Sequence, residues 1–383
     1  MGVKLSEITD KIPNTHILEV ALIGTGGGYG ESIVIHLANN EWIIIDSCKD
    51  PYTKICLPLD YLEHRGVDIQ NCVKLIICSH WHDDHIQGIS ELLAKSTSAV
   101  FCMPMVADLS KFYRFIGLDN SGPELNASGS STFEMNTCMK IIEERQLSIS
   151  KLANQDKLLY KSNCNGTNVE VFSLSPSELV IKEFGLELSE SLMQEAADKN
   201  IKIIANSPNT KSVVILVSVN SHHVLLGADL EATPDNKKGW LCILDTSECI
   251  KGKKCSLFKI PHHGSENGYE KRIWNELLEN DTIVAELTPF HSGKSLPKKE
   301  MLRTYLSHTN KLYITSLSSF TRYKPKKRNK SIEKIINQYN KKLYEDKYKF
   351  GLVLSSIDIT DPNAEWDIKL YEEATQINED HCK

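Results

Sequence analysis

The residues best suited to chemistry lie in one short segment, Ser79 to His85, which reads Ser-His-Trp-His-Asp-Asp-His. Its imidazole nitrogens and carboxylate oxygens are the ligands that zinc binds, and carboxylates also suit manganese. In an extended stretch, His80 and His82 lie on the same side, so their rings can converge on one cation. Asp84 and His85 then turn away toward a second cation. The spacing therefore predicts a metal-dependent hydrolase.

The sequence around this segment predicts the elements that must position it. Residues 73–78 are a short apolar run of strand character, and residues 86–93 carry apolar side chains at helical spacing. The segment should therefore lie at a turn between a strand and a helix. The plain alternative, a solvated turn with chance histidines, fits poorly because histidine is an uncommon residue.

Three other predicted strands end in residues of the same chemical kind. The strand at 42–45 leads into an aspartate, the strand at 224–228 into a second aspartate, and the strand at 257–261 into a histidine pair. These residues are Asp46, Asp229, His262 and His263. Taken singly, an aspartate after a strand is more often a turn residue, and a histidine pair is more often structural. Together with the histidine motif, they favour a metal centre.

The motif and these strand ends resemble the HxHxDH signature and the ligand order of the metallo-β-lactamase-fold hydrolases, from about residue 22 to residue 265. The resemblance implies an α/β (α+β) fold, the αββα sandwich, in which two sheets are covered by helices. It also implies two divalent metal ions, zinc most readily and manganese as the alternative. The implied ligands are His80, His82, Asp84, His85, Asp229 and His263.

The resemblance further implies how such a centre works. A hydroxide activated by both metals attacks the substrate in this family. Asp229 would be the carboxylate that the two ions share, and Asp84 would take part in catalysis as a ligand of the second ion. Asp46 would orient the metal histidines from behind, and His262 would lie beside the centre, able to protonate the leaving oxygen.

One piece of the family pattern is missing, because no histidine occurs between His85 and His222. The family carries a histidine there in a Thr-Pro-Gly-His-like turn, and the corresponding turn here lies in residues 169–178. Glu178 or Asn209 is a possible oxygen ligand in its place. Weaker binding at the first site, or a preference for manganese, would follow.

The Leu-Ser-Pro turn at 174–176 and the Pro-His-His-Gly-Ser sequence at 261–265 narrow the resemblance. They are similar to the hydrolase domain of ComEC-type DNA-uptake proteins and related prokaryotic metallohydrolases, which favours a phosphodiesterase or nuclease. One fold hosts many chemistries, however. A carbonyl substrate such as a lactone or amide stays open, as does a non-catalytic metal-binding or regulatory module of a prokaryotic defence or DNA-handling system.

Residues 322–330 are strongly basic in a chain of net charge −6. Such local asymmetry is a possible contact for the phosphate backbone of a nucleic acid, although charge runs are usually solvated loops. The candidate substrate-binding residues are Lys324, Lys326, Lys327 and Arg328.

The composition predicts a folded chain, since 383 residues with 41% hydrophobic side chains can build a large core. We expect one domain over 1–383. It should hold a mostly helical insertion at 101–165, which either shapes substrate access or serves packing, and a C-terminal part at 290–383 that completes the sandwich.

The sequence also predicts a cytoplasmic protein. The start of the chain lacks the apolar stretch of a signal peptide, and no apolar run is long enough to span a membrane. The eleven cysteines are scattered without a CxxC pair, which is typical of reduced thiols. The oligomeric state stays open.

Overall fold

The computed structural model describes most of the chain. The described residues are 12–26, 30–119, 131–145, 150–164, 166–197, 208–280, 282–292, 294–317, 350–361 and 363–382. Within them, the strands form two eight-stranded mixed sheets and one separate hairpin.

The first sheet has the strand order β17-β16-β1-β2-β3-β4-β5-β6. Strands β3 to β6 run parallel to one another, and the others pair antiparallel. The strands are β1 (Ile17–Gly24), β2 (Glu31–Leu37), β3 (Trp42–Ile45), β4 (Val73–Ile77), β5 (Val100–Pro104), β6 (Ser150–Ala153), β16 (Gly351–Asp358) and β17 (Asp367–Glu372).

The second sheet has the strand order β18-β15-β12-β11-β10-β9-β8-β7. Strands β10, β11, β12 and β15 run parallel. The strands are β7 (Lys157–Cys164), β8 (Thr167–Ser173), β9 (Ile215–Val219), β10 (His222–Leu226), β11 (Leu257–Lys259), β12 (Val284–Leu287), β15 (Leu312–Ile314) and β18 (Thr375–Gln376). The separate hairpin joins β13 (Phe290–Ser292) to β14 (Lys294–Leu296).

The α-helices of the described residues lie between these strands in the chain. They are α1 (Leu57–Arg65), α2 (Ile69–Cys72), α3 (Asp83–Ile86), α4 (Ile89–Lys95), α5 (Leu109–Asp119), α6 (Ser131–Glu144), α7 (Glu178–Ala197), α8 (Gly239–Thr246) and α9 (Lys299–Leu306).

The side chains of the first sheet are sorted between two apolar layers. Successive residues of a strand point to opposite faces of a sheet. In β1, Leu18, Val20 and Leu22 therefore lie in the core between the sheets, whereas Ala21 and Ile23 lie under the helices. A run that is apolar on both faces is what a sheet covered on both sides requires.

The second sheet is covered in the same way. Leu225 and Phe258 turn away from the first sheet and pack against helical residues, among them Trp240 of α8 and Leu302 of α9. The layers are thus helix, sheet, sheet, helix. The predicted αββα sandwich is confirmed.

The predicted helical insertion at 101–165 needs a correction. Its first residues belong to β5, and its last residues form β6 and β7, so the described helical part is limited to α5 and α6. The physical reason is that Phe101 and Met103 are buried apolar residues that continue the parallel part of the first sheet. Residues 322–330, the basic segment, lie outside the described residues.

In the described part of the chain, no helix combines the length and apolar character that crossing a bilayer requires. The described residues after 290 extend both sheets, since β15 and β18 join the second sheet and β16 and β17 join the first.

A buried ion pair ties α1 to the first sheet. Arg65 donates to both carboxylate oxygens of Glu19, at 3.0 and 3.1 Å, and the Tyr61 hydroxyl donates to the same carboxylate at 3.0 Å. Glu19 and Arg65 are 5% and 1% exposed. Removing one partner from such a pair leaves the other charge buried and uncompensated.

We therefore expect Arg65→Met to lower the free energy of unfolding by about 3–5 kcal/mol, as measured by urea denaturation. The double variant with Glu19→Gln should recover part of that loss. Arg272→Met is a matched control, because the ion pairs of Arg272 with Glu276 and Asp245 are solvent-exposed and each should be worth under about 1 kcal/mol. Equal losses at Arg65 and Arg272 would contradict the assignment.

Candidate functional site

The predicted ligand residues converge where strand ends of both sheets meet. The histidine motif follows β4, and α3 begins inside it at Asp83. Asp229 follows β10, and His263 lies in a single 3-10 turn after β11. The first sheet thus supplies the motif, and the second sheet supplies the ligands that come later in the chain.

The four-residue set comprises Asp84, His85, Asp229 and His263, whose ligand atoms all lie within 4.8 Å of one another. The His263 Nε2 atom is 3.3 Å from Asp84 Oδ2 and 3.5 Å from Asp229 Oδ2. The His85 Nε2 atom is 3.5 Å from Asp229 Oδ1. Ligands about 2.0–2.2 Å from a zinc ion in a tetrahedron lie roughly 3.3–3.6 Å apart, so this set has the dimensions of a closed site.

The three-residue set comprises His80, His82 and Asp229. The His80 Nε2 atom is 3.2 Å from His82 Nδ1 and 3.9 Å from Asp229 Oδ2. Asp229 therefore belongs to both sets. With three ligands instead of four, this site has the number of protein ligands that catalytic zinc sites use, leaving one position for water or substrate.

Buried atoms of the cluster lack the partners that they need. Among the described residues, His85 Nε2, His263 Nε2 and Asp229 Oδ1 are buried without a hydrogen bond. An unsatisfied buried polar atom costs about 1–3 kcal/mol, and all three atoms face the same small space. A divalent cation would satisfy them together, so the residues fit the implied metal.

The electrostatics of the cluster lead to the same conclusion. Burial opposes a charge on His263, but the carboxylates of Asp229 and Asp84 outweigh burial and raise the pKa of His263 to about 10. Burial likewise opposes a charge on His85, yet Asp229 and Asp84 raise the pKa of that imidazole well above its usual value. The carboxylates thus draw positive charge into the site, and a bound metal replaces such protons.

Asp46 fixes the orientation of two of these imidazoles. It accepts from the Ser79 N–H and hydroxyl, both at 2.6 Å, and from His85 Nδ1 at 2.7 Å. Burial raises the pKa of Asp46, and its donors act against that rise. Because an ionised carboxylate only accepts, the Ser79 hydroxyl must accept in turn from His80 Nδ1, which is 3.0 Å away. Both rings therefore direct Nε2 at the cluster.

A second buried network was not predicted from the sequence. Glu31 opens β2 and receives hydrogen bonds from the Lys259 ammonium and the Thr288 hydroxyl. His263 Nδ1 lies 3.2 Å from Thr288 Oγ1 and 3.3 Å from the Thr288 carbonyl oxygen. The one sequence signal was Lys259 itself, a charged residue inside an otherwise apolar strand.

The turns that carry the ligands use uncommon backbone geometry. Asp46, Ala228, His262 and His263 have φ values of 59°, 44°, 48° and 53°. Residues other than glycine enter this left-handed region at a cost, which folded proteins accept mainly at turns and functional sites. The surrounding sandwich must therefore hold these turns in place.

One motif-related prediction needs correction. Glu178 does not replace the missing histidine, because its side chain is 89% exposed at the start of α7 and pairs with Lys182 at 3.6 Å. A side chain at that helix start points into solvent. Asp83 of the motif is exposed and belongs to none of the possible metal-binding groups found among the described residues. In the turn at 174–176, the Ser175 hydroxyl bonds to the backbone of residues 212 and 214.

Asn209 lies beside His262. Its Nδ2 atom is 3.0 Å from His262 Nε2 and 3.1 Å from Glu231 Oε1, while its Oδ1 atom is buried without a hydrogen bond among the described residues. Because an amide nitrogen donates, His262 Nε2 must accept, and the proton of a neutral His262 lies on Nδ1. That atom is 3.6 Å from Glu231 Oε1.

Aromatic side chains flank the cluster on two sides. Trp81, between the two motif histidines, packs against Phe112 of α5 and Phe184 of α7 at ring distances of 5.4 and 5.3 Å. Phe290 of the β13–β14 hairpin stacks on His263 at 5.1 Å. Helix α5 from the predicted insertion thus contacts the metal motif directly.

No family model matches the chain, and no curated protein matches it. Solved structures with similarity to it include the metallo-β-lactamase-fold protein YhfI from Bacillus subtilis, with 12% identity, 64% of this chain and 70% of that chain covered, and a TM-score of 0.30. The metallo-β-lactamase SMB-1 bound to 2-mercaptoethanesulfonate has 13% identity, coverages of 71% and 88%, and a TM-score of 0.34. The dizinc quorum-quenching lactonase AidC has 15% identity, coverages of 52% and 55%, and a TM-score of 0.29. These similarities are weak, so the fold is assigned from the layers and the ligand geometry.

The unequal ligand sets predict unequal metal binding. The full chain purified without chelator should hold close to two divalent ions, measured by elemental analysis, with the four-residue set retaining its ion longer under a chelator. His263→Ala should remove the tightly held ion, whereas His82→Ala should remove the weakly held one, because each variant deletes a ligand of one set. A wild-type chain that takes up neither zinc nor manganese would contradict this assignment.

Proposed function

We propose that this chain is a metal-dependent hydrolase and that its substrate is a phosphodiester. The observation that carries the hydrolase proposal is the pair of ligand sets that share Asp229. One carboxylate common to two sets is the arrangement that two-metal hydrolysis needs, because it keeps both ions beside one reacting group. The six predicted ligands are all members of these sets.

The bound ions would supply a nucleophile from water near neutral pH and polarise the substrate. The protein's own task is to present unprotonated imidazole nitrogens and carboxylate oxygens in fixed positions. Asp46 does so for His85 directly and for His80 through Ser79, so that the Nδ1 protons are held away from the cluster. Orientation of this kind raises metal affinity and rate in other metal sites.

His262 is proposed to serve the leaving group. Burial lowers the pKa of His262, so the ring is neutral at pH 7. Its Nε2 atom accepts from Asn209, which leaves Nδ1, on the side of Glu231, as the nitrogen that carries a proton. A neutral imidazole is too weak an acid to give up that proton, so His262 would first have to take up a second proton and could then return it to the leaving oxygen as an imidazolium. Asn209 keeps the ring from turning.

The choice of a phosphodiester has two supports. The Leu-Ser-Pro and Pro-His-His-Gly-Ser sequences resemble those of ComEC-type hydrolase domains, and residues 322–330 are basic. The proposed substrate class includes nucleic acid. The basic segment would contact the phosphates of the nucleic acid. The identity of the metal, zinc or manganese, is part of the proposal and is decided by the metal analysis described above.

The neighbouring aspartates 83 and 84 offer a matched test of catalysis. Asp84→Ala should reduce turnover of bis-p-nitrophenyl phosphate by about 10³-fold or more, equivalent to ~4 kcal/mol on the barrier, because it removes a ligand of the four-residue set. Asp83→Ala should stay near wild type, because Asp83 is exposed and outside both sets. Steady-state kinetics and circular dichroism on both variants would check this.

The same assay separates the substrate classes. A lactone and an amide are assayed in parallel with DNA, RNA and the small phosphodiester. We expect the lactone and the amide to be hydrolysed poorly or not at all. A metal-loaded wild type that hydrolyses only the lactone or amide would replace phosphodiesters with carbonyl substrates. A metal-loaded wild type without any hydrolysis would favour a regulatory metal-binding module.

A charge variant tests nucleic acid as the substrate. Changing Lys324, Lys326 and Lys327 to Gln should weaken polynucleotide binding for all sequences alike. The slope of log affinity against log salt should fall by roughly 0.7–0.9 for each lost phosphate contact. Turnover of the small phosphodiester should not change.

The control for this variant removes the same charge elsewhere. Lys95, Lys182 and Lys251 are well exposed, with 53%, 73% and 66% of their side chains accessible, and changing them to Gln alters the net charge equally. If both triple variants bind polynucleotide like wild type at every salt concentration, the basic segment is only a solvated loop.

A further inference from the structure

The network around Glu31 ends at a proposed metal ligand. Glu31, Lys259 and Thr288 are each about 1% exposed, so none of them meets substrate or bulk solvent. Their hydrogen bonds run from Lys259 and Thr288 to the two oxygens of Glu31, and Thr288 lies in turn against His263. Glu31 lies in the first sheet and Lys259 in the second, and Thr288 and His263 lie just after strands of the second sheet.

The chemistry of Glu31 fixes the direction of these hydrogen bonds. A carboxylate only accepts, so the Thr288 hydroxyl must donate its single proton to Glu31. The Thr288 oxygen can then only accept, and the donor within reach is His263 Nδ1, at 3.2 Å. The Thr288 carbonyl oxygen, 3.3 Å from the same nitrogen, also only accepts. The proton of His263 is therefore held on Nδ1, and Nε2 faces the cluster.

This arrangement repeats the one around Asp46 with different residues. There, the Asp46 carboxylate accepts a hydrogen bond from the Ser79 hydroxyl, and the Ser79 oxygen accepts one from His80 Nδ1. Here, Glu31 and Thr288 take the same two places for His263. A hydroxyl between a carboxylate and an imidazole thus occurs once on each side of the cluster.

Lys259 makes the second arrangement possible. Its ammonium supplies the counter-charge that a buried carboxylate needs, and it also donates to the Ala228 carbonyl oxygen at 3.1 Å. Ala228 directly precedes Asp229, the carboxylate that both ligand sets share. The same lysine therefore holds Glu31 and the turn that carries Asp229.

We propose that Glu31, held by Lys259, is a positioning residue for the four-residue metal set, acting through Thr288 to keep His263 in the tautomer that presents Nε2. The inference rests on the metal assignment of the proposed function and is independent of the substrate. Neither Glu31 nor Thr288 touches the reacting atoms in this proposal.

The sharpest test compares two changes at Thr288. Thr288→Val removes the hydroxyl and keeps the shape, whereas Thr288→Ser keeps the hydroxyl. The affinity of the full-length protein for the tighter zinc ion, measured by competition with a chelator, should fall about 10–100-fold in Thr288→Val, the usual effect of losing such an outer partner. Thr288→Ser should stay close to wild type. Both variants leave the Glu31–Lys259 pair intact, and circular dichroism checks that each of them is folded.

Glu31→Gln tests the direction of the hydrogen bonds. An amide nitrogen facing Thr288 would donate, so the hydroxyl would turn and donate toward His263 Nδ1, favouring the wrong tautomer. Zinc affinity should fall as in Thr288→Val. Ring ¹⁵N NMR of the zinc-loaded protein should show a slowly exchanging Nδ1 proton on His263 in wild type and Thr288→Ser, and fast exchange or loss of that proton in the other two variants.

Wild-type zinc affinity and an unchanged His263 signal in both Thr288→Val and Glu31→Gln would overturn the inference. So would a wild type that binds neither zinc nor manganese, which would end the metal assignment as well. If zinc binds, the variants weaken it as expected and no substrate is hydrolysed, then the proposed function fails while the positioning role of Glu31 stands.

Discussion

The constraint on which the site depends is the burial of the Asp229 carboxylate. This side chain is 2% exposed, and an isolated charge in such a place is very costly. Burial works against its ionisation, but His263 and His85 hold the pKa of Asp229 well below its usual range. His80, His85 and His263 face this charge, and Asp46 orients the rings of His80 and His85.

The directions of the hydrogen bonds around the centre fix the orientation of the metal-binding imidazoles. A carboxylate cannot donate, so a hydroxyl beside it must donate its proton to the carboxylate. The hydroxyl oxygen can then only accept any further hydrogen bond. Ser79 and Thr288 each donate to a carboxylate in this way. Each therefore accepts from an imidazole Nδ1, which fixes the tautomer of that ring. The ligand geometry is thereby set by groups in the interior of the sandwich, where packing between the sheets leaves little room for them to move.

The sequence predicted local chemistry better than long-range contacts. His80, His82 and Asp84 could be assigned because their spacing on one turn decides which way they point. The Glu31–Lys259 pair joins residues 228 positions apart and depends on how the two sheets face each other, which no local pattern encodes. The prediction that Glu178 is a substitute ligand was wrong, because a turn that matches a family motif does not show where the side chains of the following helix point. The layers of the sandwich were predicted from the resemblance of the motifs to a known family, but the strands inside 101–165 were not predicted, because short apolar runs in helices and strands look alike.

The division of the ligands between the two sheets has a consequence for folding. The histidine motif comes from the first sheet, and Asp229 and His263 come from the second, so neither sheet alone holds either of the two sets that share Asp229. Contacts between residues far apart in the chain form late, because the intervening loops must close first. A nascent or partly unfolded chain therefore has scattered histidines and carboxylates but no centre. The two sets that share Asp229 are complete only when the two sheets have packed together.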